Sequence, residues 1–258
     1  MGRDQGRRVF VVGIGPGDPE HLTLRAVRAL NETDAVFIVD KGPAAAELRD
    51  ARKHLCRRVI DPAHPHRIVE IALDAVRDRG DEPYGDAIAH WRQERIDTYR
   101  QLVADLGPNE TGAFLVWGDA TLYDGTLAIL DAVRANGQID FTVEVVPGIS
   151  SMSALAARHR VALNRAGESI LITTGRRLAR DGVPDAVDNV VVMLDAHEAW
   201  RDLGDDYDVW WSAFTGMAGE RSAAGSLAEQ RDVIDHARTE AREEQGWLFD
   251  TFLFRRRR

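Results

Sequence analysis

Three short stretches of the chain combine glycine with polar side chains in a way that suits small-molecule binding. They are residues 13–18 (GIGPGD), 118–125 (GDATLYDG) and 147–151 (PGISS). Glycine permits positive φ and a close approach of the backbone to a ligand. Free N–H groups at the start of a helix favour a carboxylate or a phosphate. We call these stretches the first, second and third turns, and each is a candidate ligand-binding segment.

The first turn matches a dinucleotide-binding fingerprint only in part. The pattern G-x-G-x-x-G needs a small third residue where the helix packs on the strand. Gly13 and Gly15 fit, but Asp18 stands at the third position, and Pro16 has no N–H to donate. No Gly-Lys-Ser/Thr follows, so a phosphate-binding P-loop is also excluded. Taken alone, the first turn has a tight turn without a ligand as its alternative.

Each turn follows a predicted strand and precedes a predicted helix. Residues 9–12 (VFVV) and 113–117 (AFLVW) are apolar runs typical of buried strands, and 141–146 (FTVEVV) is a further strand. After the first turn, apolar residues recur at helical spacing, with Thr23 or Asp18 as the N-cap. In open α/β sheets, ligands bind off the carboxyl ends of the strands, which is where these turns would lie.

The order of the predicted elements indicates an α/β fold with two α/β units. Strands at 35–39 and 67–71 and helices at 44–58 and 84–106 complete an alternating pattern through residue 158, which predicts a parallel sheet covered by helices. Later strands at 169–174, 190–194, 209–214 and 247–254 have few helices between them, which favours a mixed sheet. We predict an N-terminal domain at residues 1–163 and a C-terminal domain at residues 164–258.

Composition excludes several classes of function. The net charge of −9 argues against a broad nucleic-acid surface. The apolar runs are too short for a membrane span, and the first residues lack the apolar region of a signal peptide. Cys56 is the single cysteine, which excludes an intrachain disulfide and fits a reducing cytoplasm. The eight histidines show no metal-binding spacing, so we expect no metal site.

One predicted helix carries a basic face. Arg49, Arg52, Lys53 and Arg57 are related by steps of three and four residues, so they share one side of the helix. The face is either solvated, with nearby acidic residues as partners, or a basic wall that binds a polycarboxylate. The sequence leaves both interpretations open.

The three turns together carry a resemblance that none of them carries alone. VGIGPGDPEHLT, GDATLYDG and VVPGISS, in this order and at this spacing, resemble the tetrapyrrole methylases, the S-adenosylmethionine-dependent enzymes of corrin and sirohaem synthesis. Residues 40–42 (DKG), the long helix through 106 and the ending GWLFDTFL resemble one branch of that family. Members of this branch methylate C-1 of precorrin-5 and expel its acetyl group as acetic acid. Ala120 departs from the proline usual in the second turn, but Gly118 and Asp119 are retained.

The resemblance implies a ligand trough between the two units, a tetrapyrrole substrate and S-adenosylmethionine, which becomes S-adenosylhomocysteine. It also implies a homodimer. The implied cofactor contacts are Gly118, Asp119, Leu122, Tyr123, Ser150, Ser151, Leu194, Ala213 and Thr215. The implied substrate contacts are Gly15, Pro16, Gly17, Asp18, Lys41, Arg49 and Arg52. For Ser150 and Ser151, N-capping of the next helix is the alternative.

The two chemical steps make different demands. Methyl transfer from a sulfonium to an enamine-like carbon needs mainly orientation, which supplies ~7–11 kcal/mol in comparable reactions. Acetyl loss needs an activated water and a stabilised oxyanion. We predict Asp40 as the base, because it ends a strand beside Lys41, whose ammonium favours the ionised carboxylate. Helix capping is the alternative role for Asp40, and His21 and Asp18 are the next candidates.

Other functions remain possible from the sequence. One is a methylase of the same family that acts on another precorrin carbon, on a protein or on RNA. A second is a nicotinamide-dependent oxidoreductase, against which Asp18 counts. A third is a non-catalytic module that senses the cofactor.

Overall fold

The computed structural model describes residues 6–40, 46–72, 84–196 and 198–258. Contacts divide the chain into two units. The first contains residues 6–15 and Pro19–Ile149, and the second contains Pro16–Asp18 and Ser150–Arg258. The chain therefore divides after Ile149, so the helix and the connection at 151–163, which we assigned to the first domain, group with the second unit.

The first unit is built on five parallel strands in the order β3-β2-β4-β1-β5. The parallel sheet predicted for this half of the chain is confirmed. The strands are β1 (Arg7–Gly13), β2 (Ala35–Asp40), β3 (Arg67–Ala72), β4 (Thr111–Val116) and β5 (Phe141–Val146). The helices are α1 (Leu24–Asn31), α2 (Ala46–Val59), α3 (Tyr84–Ala104) and α4 (Thr126–Ala135).

Strand β1 shows why the central strands read as continuous apolar runs. Val9 and Val11 pack in one core cluster, with Phe114 and Tyr99. Their neighbours Phe10 and Val12 belong to a different cluster. The strand is thus buried on both faces, as is usual for parallel sheets covered by helices.

The start of α1 is fixed by a side chain that the sequence points to. The hydroxyl of Thr23 accepts a hydrogen bond from the N–H of Ala26 at 3.1 Å, so Thr23, rather than Asp18, is the N-cap.

The second unit contains a mixed sheet in the order β6-β7-β10-β8-β9, which confirms the mixed sheet predicted here. Strand β6 is parallel to β7, and the other pairs are antiparallel. The strands are β6 (Ile170–Thr174), β7 (Asn189–Met193), β8 (Tyr207–Ala213), β9 (Arg221–Ser226) and β10 (Asp250–Arg256). The helices are α5 (Ser151–His159), α6 (Gly175–Asp181) and α7 (Leu227–Gln245).

Two features of this unit differ from the sequence-based prediction. Strand β9 has the sequence RSAAGS and was missed, because it lacks the β-branched and aromatic residues that mark strands. Strand β10 spans Asp250–Arg256, so it begins three residues later and ends two residues later than the strand predicted at 247–254. Within the described ranges, no helix is both long enough and apolar enough to cross a membrane.

Candidate active site

The glycines of the three turns pack against one another, backbone to backbone. Gly118 N–H donates to the carbonyl of Gly15 at 2.8 Å, and Gly15 N–H donates back at 3.2 Å. A Cβ on Gly13 would lie 2.6 Å from the nitrogen of Gly148, and one on Gly148 would lie 2.2 Å from the carbonyl oxygen of Gly118. At both positions the Cβ of any other residue would clash with the neighbouring backbone. The three turns therefore form one rigid group at the carboxyl ends of β1, β4 and β5.

Asp119 ties the second turn to the third. Its Oδ2 accepts from the N–H of Gly148 at 2.7 Å, and its Oδ1 accepts from the N–H of Thr121 at 2.9 Å and from the Thr121 hydroxyl. Burial alone would raise the pKa of this carboxyl, but these hydrogen bonds outweigh it and the pKa is lowered. Both oxygens are thus engaged by the protein, and Asp119 acts as an ionised brace between the turns.

Several predicted cofactor residues have a strained backbone. Tyr123 has φ 54 and Leu194 has φ 53, and Phe214 has φ 52 between the predicted contacts Ala213 and Thr215. Left-handed conformations cost ~1–2 kcal/mol for residues other than glycine. Tyr123 is 46% exposed and Leu194 is 54% exposed, so both side chains are accessible to a ligand. Strain of this kind clusters at ligand sites.

The remaining predicted cofactor residues present mainly backbone or hydroxyl groups. The N–H of Leu122 donates to the carbonyl of Asp119 at 3.3 Å, within the second turn. The hydroxyl of Ser150 caps α5 by accepting from the N–H of Ser153 at 3.3 Å. Ser151 accepts a hydrogen bond from the Thr251 hydroxyl at 2.8 Å. Ala213 is fully buried, so neither its side chain nor its backbone is exposed.

Residues of the first turn lie against the loop that follows β8. A Cβ on Gly17 would lie 2.2 Å from Cγ of Met217 and 3.0 Å from the carbonyl oxygen of Thr215. A Cβ on Gly216 would lie 2.7 Å from the nitrogen of Asp18. Pro16 is buried beside them. The structure thus brings two predicted substrate residues, Gly17 and Asp18, next to a predicted cofactor residue, Thr215.

The second unit contains a cavity of about 300 Å³ at the end of β7 and the start of β10. Two predicted cofactor residues, Ser151 and Leu194, line it. Its apolar lining comes from Met193, Leu194, Ala196, Leu248 and Phe249. Its polar lining comes from Ser151, Asp195, Arg238, Arg242, Asp250 and Thr251.

A group of buried charges forms one wall of this cavity. Nε of Arg238 lies 3.1 Å from Oδ2 of Asp250, and the two side chains are 1% and 5% exposed. The indole N–H of Trp211 donates to the same oxygen at 2.9 Å. Burial raises the pKa of Asp250, although Arg238 and Trp211 act in the opposite direction. The carboxylate of Asp195 accepts from the N–H groups of Ala199 and Trp200 at 3.0 and 3.2 Å.

Sequence reasoning missed Arg238 and Asp250. Arg238 lies among charged residues of a long helix and looks like a surface residue. Asp250 offered a signal, because it interrupts the apolar run WLFDTFLF, where an unpaired carboxylate would be costly.

The basic face of α2 is partly paired. Lys53 Nζ lies 2.5 Å from Oε1 of Glu70, and Arg49 Nε lies 3.7 Å from Oε2 of the same residue. The guanidinium of Arg52 lies 5.2 Å from the ring centroid of Trp117, which directly precedes Gly118. Arg52 is therefore near the turns, whereas Arg49 and Lys53 share Glu70.

The predicted catalytic residues are described only in part. Asp40 is the last residue of β2, but its side chain and the whole of Lys41 lie outside the described residues. Nδ1 of His21 is buried and has no hydrogen-bond partner in the described part of the chain. Among the described ranges, no group of three or more His, Cys, Asp or Glu residues could hold a metal ion.

Comparison with known sequences identifies the family. A sequence model described as Tetrapyrrole (Corrin/Porphyrin) Methylases matches residues 8–230, which include all three turns. The chain belongs to this family. The resemblance found in the turn motifs is therefore confirmed.

Individual relatives agree with this assignment. A precorrin-6A synthase (deacetylating) from Sinorhizobium sp. is 39% identical over 252 residues, which cover 97% of this chain and 95% of the relative. A precorrin-2 C(20)-methyltransferase from Sinorhizobium sp. is 32% identical over 150 residues, covering 57% of this chain and 55% of the relative.

Solved tetrapyrrole methylases share the fold. The crystal structure of a cobalamin synthesis related protein (CobF) from Corynebacterium diphtheriae matches with a TM-score of 0.83 and 31% identity, covering 97% of this chain and 99% of the other. A uroporphyrin-III C-methyl transferase from Thermus thermophilus, solved with S-adenosyl homocysteine, matches with a TM-score of 0.55 and 20% identity over 96% of each chain.

Proposed function

We propose that this protein is a precorrin-6A synthase, which methylates C-1 of precorrin-5 from S-adenosylmethionine and releases the acetyl group as acetate. The observation that carries the proposal is the 39% identity to a deacetylating precorrin-6A synthase over nearly the full length of both chains. The motifs 40–42 and GWLFDTFL, which the sequence alone assigned to this branch, point the same way.

Each unit contains residues that the family resemblance assigns to the cofactor. In the first unit, the second and third turns present backbone groups held rigidly by Gly118, Gly148 and Asp119. In the second unit, the cavity beside Ser151 and Leu194 is large enough for an adenosine group. We propose that the adenosine of the cofactor binds in the cavity of the second unit.

The chain's own residues contribute chiefly orientation to methyl transfer. The sulfonium is a strong electrophile, so the rigid turns need only hold the donor methyl group in line with the nucleophilic carbon. Acetyl loss requires in addition a base that takes a proton from water as it attacks the acetyl carbonyl. We assign that role to Asp40, at the carboxyl end of β2.

A substitution at Leu194 should weaken cofactor binding with little change in the stability of the protein. Leu194→Gly removes an exposed apolar side chain and relieves a left-handed backbone, so the free energy of unfolding should change by less than about 1 kcal/mol. Affinity for S-adenosylhomocysteine should fall about 10-fold, which corresponds to about 1.4 kcal/mol. Titration calorimetry and thermal unfolding measure the two effects. Unchanged affinity would place the adenosine away from Leu194.

Substitutions on α2 test whether its basic face binds the substrate carboxylates. Arg52→Ala should raise the KM for the precorrin about 10-fold, because arginine binds carboxylates through charge-assisted hydrogen bonds. Arg49→Ala should have a smaller effect, since Arg49 is already near Glu70. Glu70→Gln is the matched control and should lower the KM by releasing Lys53 and Arg49. If the KM stays constant in all three variants, the face is merely solvated.

We further propose that the enzyme is a cytoplasmic homodimer. The single cysteine, Cys56, is buried, and burial raises the pKa of its thiol to about 11, which suits a structural rather than a redox role. Dimerisation follows by analogy with the family. Sedimentation velocity across a range of protein concentrations tests it, and a single species with the mass of one chain would contradict it.

Binding of S-adenosylhomocysteine and NAD, measured side by side by calorimetry, tests the class of enzyme. We expect saturable binding of S-adenosylhomocysteine and none of NAD, because Asp18 occupies the third glycine position of the dinucleotide fingerprint. Binding of NAD alone would favour an oxidoreductase and contradict the proposal.

A further inference from the structure

We infer that Arg238, oriented by Asp250, selects the adenine of the cofactor by donating a hydrogen bond from Nη1 to a ring nitrogen. The inference rests on the proposed function. It adds a specificity-determining residue in the cavity of the second unit, outside the glycine turns.

The first observation is an unmet donor. Arg238 is 1% exposed and lines the cavity. Its Nη2 donates to the carbonyl of Asp195 at 2.8 Å, and its Nε lies 3.1 Å from Oδ2 of Asp250 without forming a hydrogen bond. Its Nη1 is buried and has no hydrogen-bond partner among the described residues. Because a buried charged donor without a partner is unfavourable, Nη1 calls for an acceptor from a molecule in the cavity.

The second observation is the balance of charge around the cavity. Arg238 is paired with Asp250, and Nη1 of Arg242 lies 2.6 Å from Oε1 of Glu198. Asp195 adds a negative charge that is held by two N–H groups. Among the described residues around the cavity, no positive charge is left over to neutralise a carboxylate, so the carboxylate of the cofactor's methionine part is a poor occupant. An uncharged acceptor fits better.

The third observation is the apolar lining. Met193, Leu194, Leu248 and Phe249 line the same cavity as Arg238. These apolar side chains suit the faces of a flat ring such as adenine. The adenine therefore matches both the lining and the donor.

The setting of Arg238 fixes the direction of its donors. Its guanidinium lies 5.8 Å from the ring centroid of Trp200 and 5.5 Å from that of Phe252. Asp250 is itself held by the indole N–H of Trp211. A buried ion pair adds little net stability compared with apolar packing. The role of the Arg238–Asp250 pair is therefore to hold Nη1 in position.

The test compares S-adenosylhomocysteine with its 1-deaza, 3-deaza and 7-deaza analogues, in which CH replaces one ring nitrogen, by calorimetry on the full-length wild-type protein. One analogue should bind roughly 10- to 100-fold more weakly, as expected for loss of one hydrogen bond from a charged donor. Equal affinities for all four compounds would overturn the inference and leave the proposed function standing. Failure of the wild type to bind S-adenosylhomocysteine would instead contradict the proposed function.

Variants assign the effect to Arg238. In Arg238→Lys, which keeps the charge opposite Asp250 but removes Nη1, the analogue and the parent compound should bind within about threefold of each other. In the control His236→Gln, on the same helix but outside the cavity lining, the wild-type discrimination should persist. Discrimination that survives in Arg238→Lys would overturn the inference. If that variant does not fold, Asp250→Asn replaces it, and undiminished discrimination there would overturn the inference equally.

Discussion

Asp40→Asn should still transfer the methyl group but release acetate about 10²- to 10⁴-fold more slowly, the range expected for loss of a positioned general base. Methylation depends on alignment of two reactive groups, whereas deacetylation depends on an activated water. Asp40 ends β2, at the sheet edge where this architecture binds ligands. Mass analysis should therefore detect a methylated product that retains its acetyl group.

Two further variants make this result specific. Asp131→Asn, on the exposed side of α4, is the matched control and should behave like the wild type. His21→Gln removes the other candidate, whose buried Nδ1 has no partner among the described residues. Acetate release at the wild-type rate from Asp40→Asn would exclude Asp40 as the base and favour His21. Loss of methyl transfer as well would mean that Asp40 shapes the site rather than activating water.

Asp119→Ala should weaken binding of S-adenosylhomocysteine roughly 10- to 100-fold, because it leaves the N–H groups of Gly148 and Thr121 without their acceptor. The second and third turns would then no longer be tied together. Asp124→Ala is the matched control from the same turn. Asp124 accepts from the N–H of Thr126 at the start of α4, so its loss should cost about 1 kcal/mol of stability and leave affinity unchanged. Equal affinities in the two variants would contradict the bracing role.

The acid side of the pH profile follows from the same carboxylate. The pKa of Asp119 is lower in the folded protein than in the unfolded chain. The contribution of its carboxylate to the stability of the folded turns is therefore fully present above the unfolded pKa. That contribution is lost only as the pH falls through the lower, folded value. Affinity for S-adenosylhomocysteine should therefore be level from neutral pH down to about pH 4. Loss of affinity already near pH 6, in a protein that remains folded, would point to a different titrating group.

The sequence predicted the parallel sheet because its strands are buried on both faces, which makes runs such as VFVV unmistakable. It predicted the three turns from their glycines, because backbone packing leaves no room for a side chain on Gly13 or Gly148 and Gly118 has φ 68. Gly118→Val would be a poor test of cofactor binding, because Gly118 has φ 68 and both its N–H and its C=O bond to Gly15.

The pairing of distant side chains was beyond the sequence. Arg238 and Asp250 lie on different elements, and nothing in either local pattern shows that they meet in a cavity. The same is true of Glu70, which approaches the basic face of α2 from β3. Strand β9 was missed because its residues are small. It lies at the edge of the sheet, where little side-chain packing is required.

Anaerobic incubation of the purified protein with precorrin-5 and methyl-labelled S-adenosylmethionine, followed by mass analysis, tests the central claim most directly. The proposed function predicts a product that gains one labelled methyl group and loses its acetyl group, with one acetate and one S-adenosylhomocysteine released for each turnover. A methylated product that keeps the acetyl group in the wild-type reaction, or methylation only of an earlier precorrin, would contradict the assignment to precorrin-6A synthase.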